Sequence, residues 1–207
     1  LNQLPDYDAI SEVLYEVGLF AAENNIRVTT HPGPFNKLTS PKESVILNTI
    51  RDLEIHGEIF DLMCLPRTPY AKINIHVGAA YDDKPMALDN FCKNFQRLSE
   101  AVKTRLTVEN DDKPSLYTVK ELYDHVYKRI NIPVVFDYHH HALHSELPHD
   151  EQTRRNSEFK PDARRAPVCK YGSGEVHCAW LCAWQMAVCA RVFLAIFLVG
   201  ALKKQSS

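Results

Sequence analysis

The chain lacks a net charge of either sign, because 24 lysines and arginines are balanced by 26 aspartates and glutamates and the formal net charge is -2. Without an excess of basic residues there is no global electrostatic footprint for nucleic acid. Any contact with DNA or RNA must therefore come from a local patch or from bound cations. The composition, 45% hydrophobic and 24% charged, is that of a folded globular domain and excludes disorder as the default.

A cysteine framework and a secretory leader are also missing from the first part of the sequence. Cys64 and Cys92 stand alone there, and the other four cysteines all follow residue 168. The first ten residues contain two aspartates and no apolar run, unlike a secretory signal. These features favour an intracellular protein with reduced thiols.

What the sequence does contain is a repeated alternation of helix-like and strand-like segments. Helical spacing of apolar residues predicts helices over residues 6–24, 40–60, 82–102 and 118–129. Short apolar runs predict strands over residues 26–30, 72–77, 106–109 and 133–136. The strands are almost continuously apolar, as parallel strands covered by helices on both faces are. We therefore predict an α/β fold of about four βα units.

The character of the chain changes after His141. Residues 145–175 are polar and interrupted by prolines, which predicts a loop-like or disordered linker. Residues 176–202 are mostly apolar, so a membrane-spanning helix is one interpretation. Arg191 lies near the middle of that segment and opposes insertion by roughly 2.5 to 3.5 kcal/mol, which leaves an unrelated or poorly ordered tail as the other. The predicted units are thus 1–144, 145–175 and 176–202.

Each of the predicted strands leads into a residue that can bind a metal ion. These residues are His31, His76, Glu109 and Asp137, and three histidines at 139–141 follow directly. Carboxyl ends of parallel strands meet at one edge, where α/β barrels and open α/β sheets have their active sites. Imidazole and carboxylate groups suit Zn²⁺, Mn²⁺ or iron, and a carboxylate between them can bridge two ions. A two-metal site of this kind most naturally serves phosphoester hydrolysis.

Each of these residues also has a structural interpretation when it is taken alone. His31 could cap a turn, His76 could be a hydrogen-bonded core histidine, and Glu109 could begin a solvated acidic loop. Adjacent residues of a strand point to opposite faces, so at most alternate members of the run at 139–141 can converge. The metal-site interpretation depends on the coincidence of successive strand ends that all carry ligand chemistry.

Four segments, taken in order along the chain, resemble the motifs of the UV damage endonuclease family. They are His31-Pro32-Gly33-Pro34-Phe35, Ile73-Asn74-Ile75-His76-Val77-Gly78, Leu106-Thr107-Val108-Glu109-Asn110-Asp111-Asp112 and Val135-Phe136-Asp137-Tyr138-His139-His140-His141. The resemblance covers about residues 4–141. It implies a TIM barrel related to apurinic endonucleases and xylose isomerases, which nicks DNA immediately 5′ to UV photoproducts and other lesions with the help of divalent metals.

The resemblance also implies roles for single residues. His31 and His76 resemble the ligands of one ion, and Glu109 resembles the bridging carboxylate, which makes it the expected catalytic residue. Asp137 resembles a ligand of a second ion, and His140 a ligand of a third. The residues that resemble DNA contacts, an aromatic probe of the damaged duplex and a loop with phosphate contacts, are Phe35, Tyr81, Lys84 and Lys113.

The implied cofactor is Mn²⁺, with Zn²⁺ as the alternative, and the implied partner is damaged double-stranded DNA. This places the expected protein on DNA inside the cell, in a nucleus or a bacterial cytoplasm, with membrane anchoring through residues 176–202 left open. Nothing in the sequence indicates an oligomeric state.

The sequence departs from the family pattern at several points. Pro34 stands where the family often has glutamine, and Asp82 stands where it has glycine. Neither the strands that the family places before His31 nor its later lysine, histidine and glutamate ligands are found. The resemblance therefore implies a partial barrel that is truncated at both ends. One interpretation is that the chain is inactive on its own. The other open alternatives are a sugar isomerase-like barrel enzyme and an inactive membrane-tethered remnant.

Overall fold

The computed structural model describes residues 1, 3–144, 168–171 and 174–178. Its helices are α1 (Tyr7–Glu23), α2 (Glu43–Leu62), α3 (Lys84–Phe95), α4 (Glu100–Lys103), α5 (Val119–Leu122), α6 (Lys128–Ile130) and α7 (Tyr138–Leu143). Its strands are β1 (Ile73–His76), β2 (Leu106–Glu109), β3 (Val134–Phe136), β4 (Val168–Tyr171) and β5 (Gly174–Cys178). A π-helical turn, Tyr123–Tyr127, joins α5 to α6 without interruption.

The strands form one sheet in the order β1-β2-β3-β5-β4. Strands β1, β2 and β3 are parallel, and their register sets His76 opposite Glu109 and Glu109 opposite Val135. Strand β5 is parallel to β3, and β4 is antiparallel to β5. Parallel strands that alternate with helices are the unit of a (β/α) barrel. The prediction of a partial TIM barrel is therefore confirmed.

The core lies between the parallel strands and the helices that cover them. Ile73, Leu106 and Val108 are fully buried in the strands, and Phe60 of α2 and Phe91 of α3 pack against them. Each large apolar side chain removed from water in this way stabilises the fold by about 1.5–3 kcal/mol. The parallel strands are thereby fixed relative to one another, which aligns their carboxyl ends.

The contact between α1 and α2 requires a glycine. A Cβ atom on Gly18 would lie 1.9 Å from the carbonyl oxygen of Met63, directly after α2. Only a residue without a side chain allows the two helices to approach this closely. This contact holds α1 in place ahead of the segment that leads to His31.

The predicted first strand, residues 26–30, is reduced to a single bridge. Thr30 pairs with Ile73, through hydrogen bonds from Thr30 N to Lys72 O (2.8 Å) and from Asn74 N to Thr30 O (2.9 Å). Within the described residues no strand pairs with the other edge of this segment. The segment therefore pairs with β1 alone, and only one bridge forms. That bridge still places His31 beside the end of β1.

Two predicted helices have different limits in the structure. Helix α2 begins at Glu43 and not at Ser40, whose Oγ accepts a hydrogen bond from Lys42 N at 3.1 Å. The predicted helix 82–102 is two helices, α3 and α4. The chain turns tightly between them, where Leu98 N donates to Phe95 O, and Ser99 N donates to Glu54 Oε1 at 2.7 Å. A side-chain acceptor on α2 thus competes with continuation of the helix.

Among the described residues, no helix combines the length and the apolar character needed to cross a membrane. The predicted linker 145–175 and the predicted membrane segment 176–202 lie almost entirely outside the described residues. Both therefore stay predictions.

Candidate metal centre

The carboxyl ends of the parallel strands bring three histidines around one carboxylate. Nε2 of His31 lies 3.9 Å from Oε2 of Glu109. Nε2 of His76 and Nε2 of His140 lie 3.9 Å and 3.8 Å from Oε1 of the same residue. These distances are too long for hydrogen bonds. They suit shared metal ligands, because two ligand atoms that are each about 2.1 Å from one ion are separated by at most about 4.2 Å.

These side chains form two sets that could each hold a metal ion, within the part of the chain that is described. One set is His31, His76 and Glu109, and the other is Glu109, Asp137 and His140; the ligand atoms of each lie within 4.8 Å of one another. Glu109 belongs to both sets, as a bridging carboxylate does. Imidazole nitrogens combined with carboxylate oxygens are the donors that Zn²⁺, Mn²⁺ and iron accept, so the residues fit a divalent metal.

All five residues expected as ligands therefore lie together. The arrangement differs from the expected one in a single respect. The resemblance implies separate ions for Asp137 and His140, whereas the structure puts both side chains in the same set with Glu109.

Asp137 and His140 are positioned by the start of α7. Asp137 is the N-cap of this helix, and its Oδ1 accepts a hydrogen bond from His140 N at 2.9 Å. Asn110 holds the Asp137 backbone with both ends of its amide, since Nδ2 donates to Asp137 O (3.0 Å) and Oδ1 accepts from Asp137 N (2.8 Å). Residues 139–141 are thus helical, so the alternation of side chains along a strand does not apply to them. The capping aspartate favours the helix start over continued extension.

His76 contacts a second carboxylate on the side of its ring away from Glu109. Its Nδ1 lies 3.0 Å from Oδ1 of Asp111, which is buried. Burial by itself lowers the pKa of His76, but the hydrogen bond and charge of Asp111, together with the charges of Glu109 and Asp137, outweigh burial and raise that pKa. A metal-binding histidine commonly donates its other ring N–H to a carboxylate, which leaves Nε2 as the ligand atom.

Two buried polar residues lie next to Glu109 on the same face of the sheet. Nδ2 of Asn74 donates a hydrogen bond to Oε2 of Glu109, and Oγ1 of Thr107 donates to Oδ1 of Asn74 at 2.8 Å. The ligand pattern does not single them out. The two-residue period of a strand is the signal that finds them, because Asn74 lies two residues before His76 and Thr107 lies two residues before Glu109.

Lys72 continues this face of β1 toward the start of the strand. It is 4% exposed. Burial, and after it the charge of Arg27, lower the pKa of its ammonium group to about 8, against the attraction of Glu109.

Of the residues expected to contact DNA, three lie in loops after His31, β1 and β2, and Lys84 is the first residue of α3. Phe35 is 86% exposed and Tyr81 is 40% exposed, and Lys113 is exposed as well. The ammonium group of Lys84 already contacts other residues of the protein. Its Nζ lies 2.9 Å from Oε1 of Glu121 and 5.6 Å from the centre of the Tyr117 ring.

Comparison with known proteins indicates one family. Residues 4–168 match the family model described as UV-endonuclease UvdE. The chain is 46% identical over 135 residues to a UV-damage endonuclease of Neurospora crassa, a match that covers 64% of this chain and 20% of that protein. It is 39% identical over 148 residues to a UV DNA damage endonuclease of Bacillus cereus, covering 70% of this chain and 45% of that protein. The chain thus spans less than half the length of these relatives.

Two solved structures are similar as well. The crystal structure of SacUVDE matches with a TM-score of 0.63 and 34% identity, covering 76% of this chain and 53% of that one. D-psicose 3-epimerase of Clostridium cellulolyticum H10, solved with D-tagatose, matches with a TM-score of 0.53 and 15% identity, covering 67% and 52%. At that identity the epimerase shares only the barrel fold.

Proposed function

The chain belongs to the UV-endonuclease UvdE family, and we propose from this membership that it carries the metal-binding part of a DNA repair endonuclease. The proposed reaction is hydrolysis of the phosphodiester on the 5′ side of a UV photoproduct. The observation that carries the proposal is the arrangement of His31, His76 and His140 around Glu109, at 3.8–3.9 Å from its two oxygens. Such a protein acts where DNA is, in a nucleus or a bacterial cytoplasm.

The protein's part of this chemistry is to hold ions and phosphate in place. His31, His76 and Glu109 would hold one ion, and Glu109, Asp137 and His140 would hold another. When bound, divalent ions such as Mn²⁺, or Zn²⁺ as the alternative, neutralise charge on the phosphate and supply hydroxide near neutral pH. Glu109 fixes the distance between the two sets because its oxygens face both of them.

Contact with DNA is proposed for the loops beside the centre. Phe35 is exposed enough to stack against an unpaired or distorted base, and Tyr81 lies in the loop that follows β1. Lys113 is placed to contact a phosphate. Lys84 does so only by giving up its ion pair with Glu121. Because such phosphate contacts release counterions, DNA binding is expected to weaken as salt rises.

The sugar isomerase alternative has less support. The epimerase contributes the fold alone at 15% identity, whereas the relatives named for UV damage are 34% to 46% identical to this chain. The inactive membrane-tethered remnant depends on residues 176–202, outside the described part of the chain.

The test is a nicking assay on a UV-irradiated duplex labelled at one end, with Mn²⁺ and the purified chain. We expect a nick 5′ to the photoproduct that a chelator blocks. Glu109→Gln keeps the side-chain size and removes the charge, so it is expected to abolish nicking. Glu100→Gln makes the same change on α4 at a 73% exposed side chain and serves as the control. Metal-dependent nicking by Glu109→Gln contradicts the role assigned to Glu109.

Binding of Mn²⁺ is measured on the same three proteins. A chain that binds Mn²⁺ through Glu109 but does not nick is the metal-binding part of an endonuclease whose remaining residues lie elsewhere. A chain that binds neither Mn²⁺ nor Zn²⁺ refutes the metal centre.

A further inference from the structure

We infer that Thr107 and Asn74 form a hydrogen-bond relay that fixes the orientation of the Glu109 carboxylate. Both are positioning residues, since they act on the ligands of the centre through Glu109. The inference rests on the proposed function to the extent that Glu109 is a metal ligand. The relay itself is a property of the chain without metal.

The first step is the direction of the relay. The hydroxyl of Thr107 donates to Oδ1 of Asn74 at 2.8 Å, and Nδ2 of Asn74 donates to Oε2 of Glu109. A carboxylate only accepts hydrogen bonds, so it requires the NH₂ end of the amide. The two ends of an asparagine amide have nearly the same shape. The carboxylate therefore sets the orientation of the amide, and the hydroxyl of Thr107 holds the amide there by donating to Oδ1, which would otherwise be a buried acceptor without a donor.

The second step is that the relay is rigid. The register of β1 and β2 places Asn74 opposite Thr107 and His76 opposite Glu109, one step further along the same face. Glu109, Asn74 and Thr107 are 4%, 3% and 0% exposed. Water therefore has little access to these groups, and hydrogen bonds between them are stronger than on the surface.

The third step is what the relay does to Glu109. The terminal torsion of a glutamate side chain is broad and has little preference of its own. The bond from Asn74 identifies Oε2 as the oxygen that also faces His31, at 3.9 Å, and leaves Oε1 to face His76 and His140. Oε2 thus serves His31, and Oε1 is shared by His76 of the same set and His140 of the other set. A carboxylate turned out of this plane would move away from at least one of these ligand atoms.

The test compares Thr107→Val with Thr107→Ser in the full chain. Valine keeps the shape of threonine and removes the hydroxyl, whereas serine keeps the hydroxyl and removes a methyl group. If the relay positions Glu109, Thr107→Val is expected to weaken Mn²⁺ binding by about tenfold, the lower end of the range for residues that contact a metal ligand directly, because Thr107 acts through Asn74. Thr107→Ser is expected to bind Mn²⁺ close to the wild-type level.

A role in packing alone predicts the reverse order, because valine preserves the buried volume and serine leaves a small cavity. Thermal unfolding of both variants shows which of them is impaired in packing. Mn²⁺ binding by Thr107→Val that equals wild type overturns the relay and leaves the metal centre intact. Absence of Mn²⁺ binding by the wild-type chain overturns the proposed metal centre instead.

A second measurement judges the relay without metal. In the metal-free chain the side-chain amide protons of Asn74 are expected to exchange slowly with solvent by NMR, in wild type and in Thr107→Ser, and faster in Thr107→Val. Exchange at the same rate in all three proteins overturns the relay whatever the outcome of the metal titrations.

Discussion

Both ends of the parallel strands contain buried charged side chains, but the two ends differ in how the protein satisfies these charges with hydrogen bonds. At the amino end, Arg105 directly precedes β2 and is 0% exposed. It donates five hydrogen bonds of 2.6–3.4 Å, one to the Asp61 carboxylate and the others to the carbonyl oxygens of Gly57, Leu65, Pro66 and Ala101. At the carboxyl end, the three imidazoles face Glu109 across 3.8–3.9 Å.

The difference separates a structural site from a candidate binding site. A buried charge is tolerated when the protein satisfies it completely, as the carbonyl groups around Arg105 do. Nitrogen and oxygen ligands that converge without bonding to one another leave room for a cation, and a bound cation supplies the missing interactions. Polar groups arranged in this way commonly reduce stability in exchange for function. Substitutions at each end of the strands test this difference.

The largest effect on folding is expected from Arg105→Met. The change keeps most of the aliphatic length and removes all five hydrogen bonds, so buried carbonyl groups lose their donor. The free energy of unfolding is expected to fall by about 3–5 kcal/mol, because each buried acceptor left without a donor costs about 1–3 kcal/mol. Denaturant titration measures it. Arg67→Met is the control, because Arg67 binds the same Asp61 from a side chain that is 57% exposed, and a change below about 1 kcal/mol is expected. If both variants lose a similar free energy of unfolding, the buried position of Arg105 has no special role in stability.

The next effect is expected from Asp111→Asn at the carboxyl end. Without the charge of Asp111, burial has more weight and the pKa of His76 is expected to fall, which NMR titration of the metal-free chain detects. Binding of Mn²⁺ is expected to weaken by about tenfold, at the lower end of the range for such partners, because the amide oxygen can still accept from Nδ1. Asp112→Asn, one residue further on, is the control and should leave the pKa of His76 unchanged. Equal shifts in both variants contradict the specific contact.

Two histidines are expected to make the metal-free chain depend on pH in opposite directions. Burial lowers the pKa of His56 on α2 despite the charge of Asp52, and Gly57 beside it is a partner of Arg105. The stability due to His56 is thus present above the unfolded-state pKa of about 6.5 and is lost as pH falls through the lowered value. The pKa of His76 is raised, so its contribution is present below about 6.5 and is lost as pH rises through the raised value.

The measurement is the unfolding free energy of wild type, His56→Gln and His76→Gln from pH 5 to 8. The difference between wild type and each variant has a slope of at most about 1.4 kcal/mol per pH unit, positive with pH for His56 and negative for His76. Slopes of the same sign contradict the opposite environments of the two rings.

The sequence predicts the centre better than it predicts the elements that carry it. Ligand-type residues at the ends of parallel strands converge whatever the details of the helices, so His31, His76, Glu109 and Asp137 can be found from order and residue type. The split of the predicted helix 82–102 could not be found in this way. It depends on Glu54, an acceptor more than forty residues earlier in the sequence, which bonds to Ser99 N.

The buried contacts at both ends of the strands could not be predicted from the sequence for a related reason. The two-residue period of a strand places Asn74 and Thr107 on the ligand face, but which residue lies opposite which depends on the register of β1 and β2. Arginine is usually a surface residue, so the residue type alone does not indicate that Arg105 is buried. Its burial depends on carbonyl groups at the end of α2 and in the segment after it, which the fold brings together.

Backbone conformation extends the comparison of the two ends. Asn25, Cys64 and Asn131 adopt left-handed φ angles of 53°, 54° and 54°, each as a single residue where a helix has ended and the chain turns toward a strand. After β1, by contrast, Tyr81 and Asp82 are left-handed in succession, with φ of 51° and 64°. Single left-handed residues are an ordinary way to end a helix. Two in succession without glycine concentrate strain beside the candidate centre.

The smallest expected effect comes from removing part of that strain. A left-handed conformation is unfavourable by roughly 1–2 kcal/mol for residues with a Cβ, and glycine loses about 0.5–1 kcal/mol through the greater freedom of its unfolded chain. Asp82→Gly is therefore expected to raise the free energy of unfolding by up to about 1 kcal/mol. Asp83→Gly makes the same change at a residue with φ of -139°, whose side chain accepts from Met86 N as the N-cap of α3, and is expected to lower it. The two variants are neighbours and make the same change of residue type. If the free energy of unfolding changes with the same sign in both, the effect comes from the flexibility of the loop. Opposite signs locate the strain at Asp82.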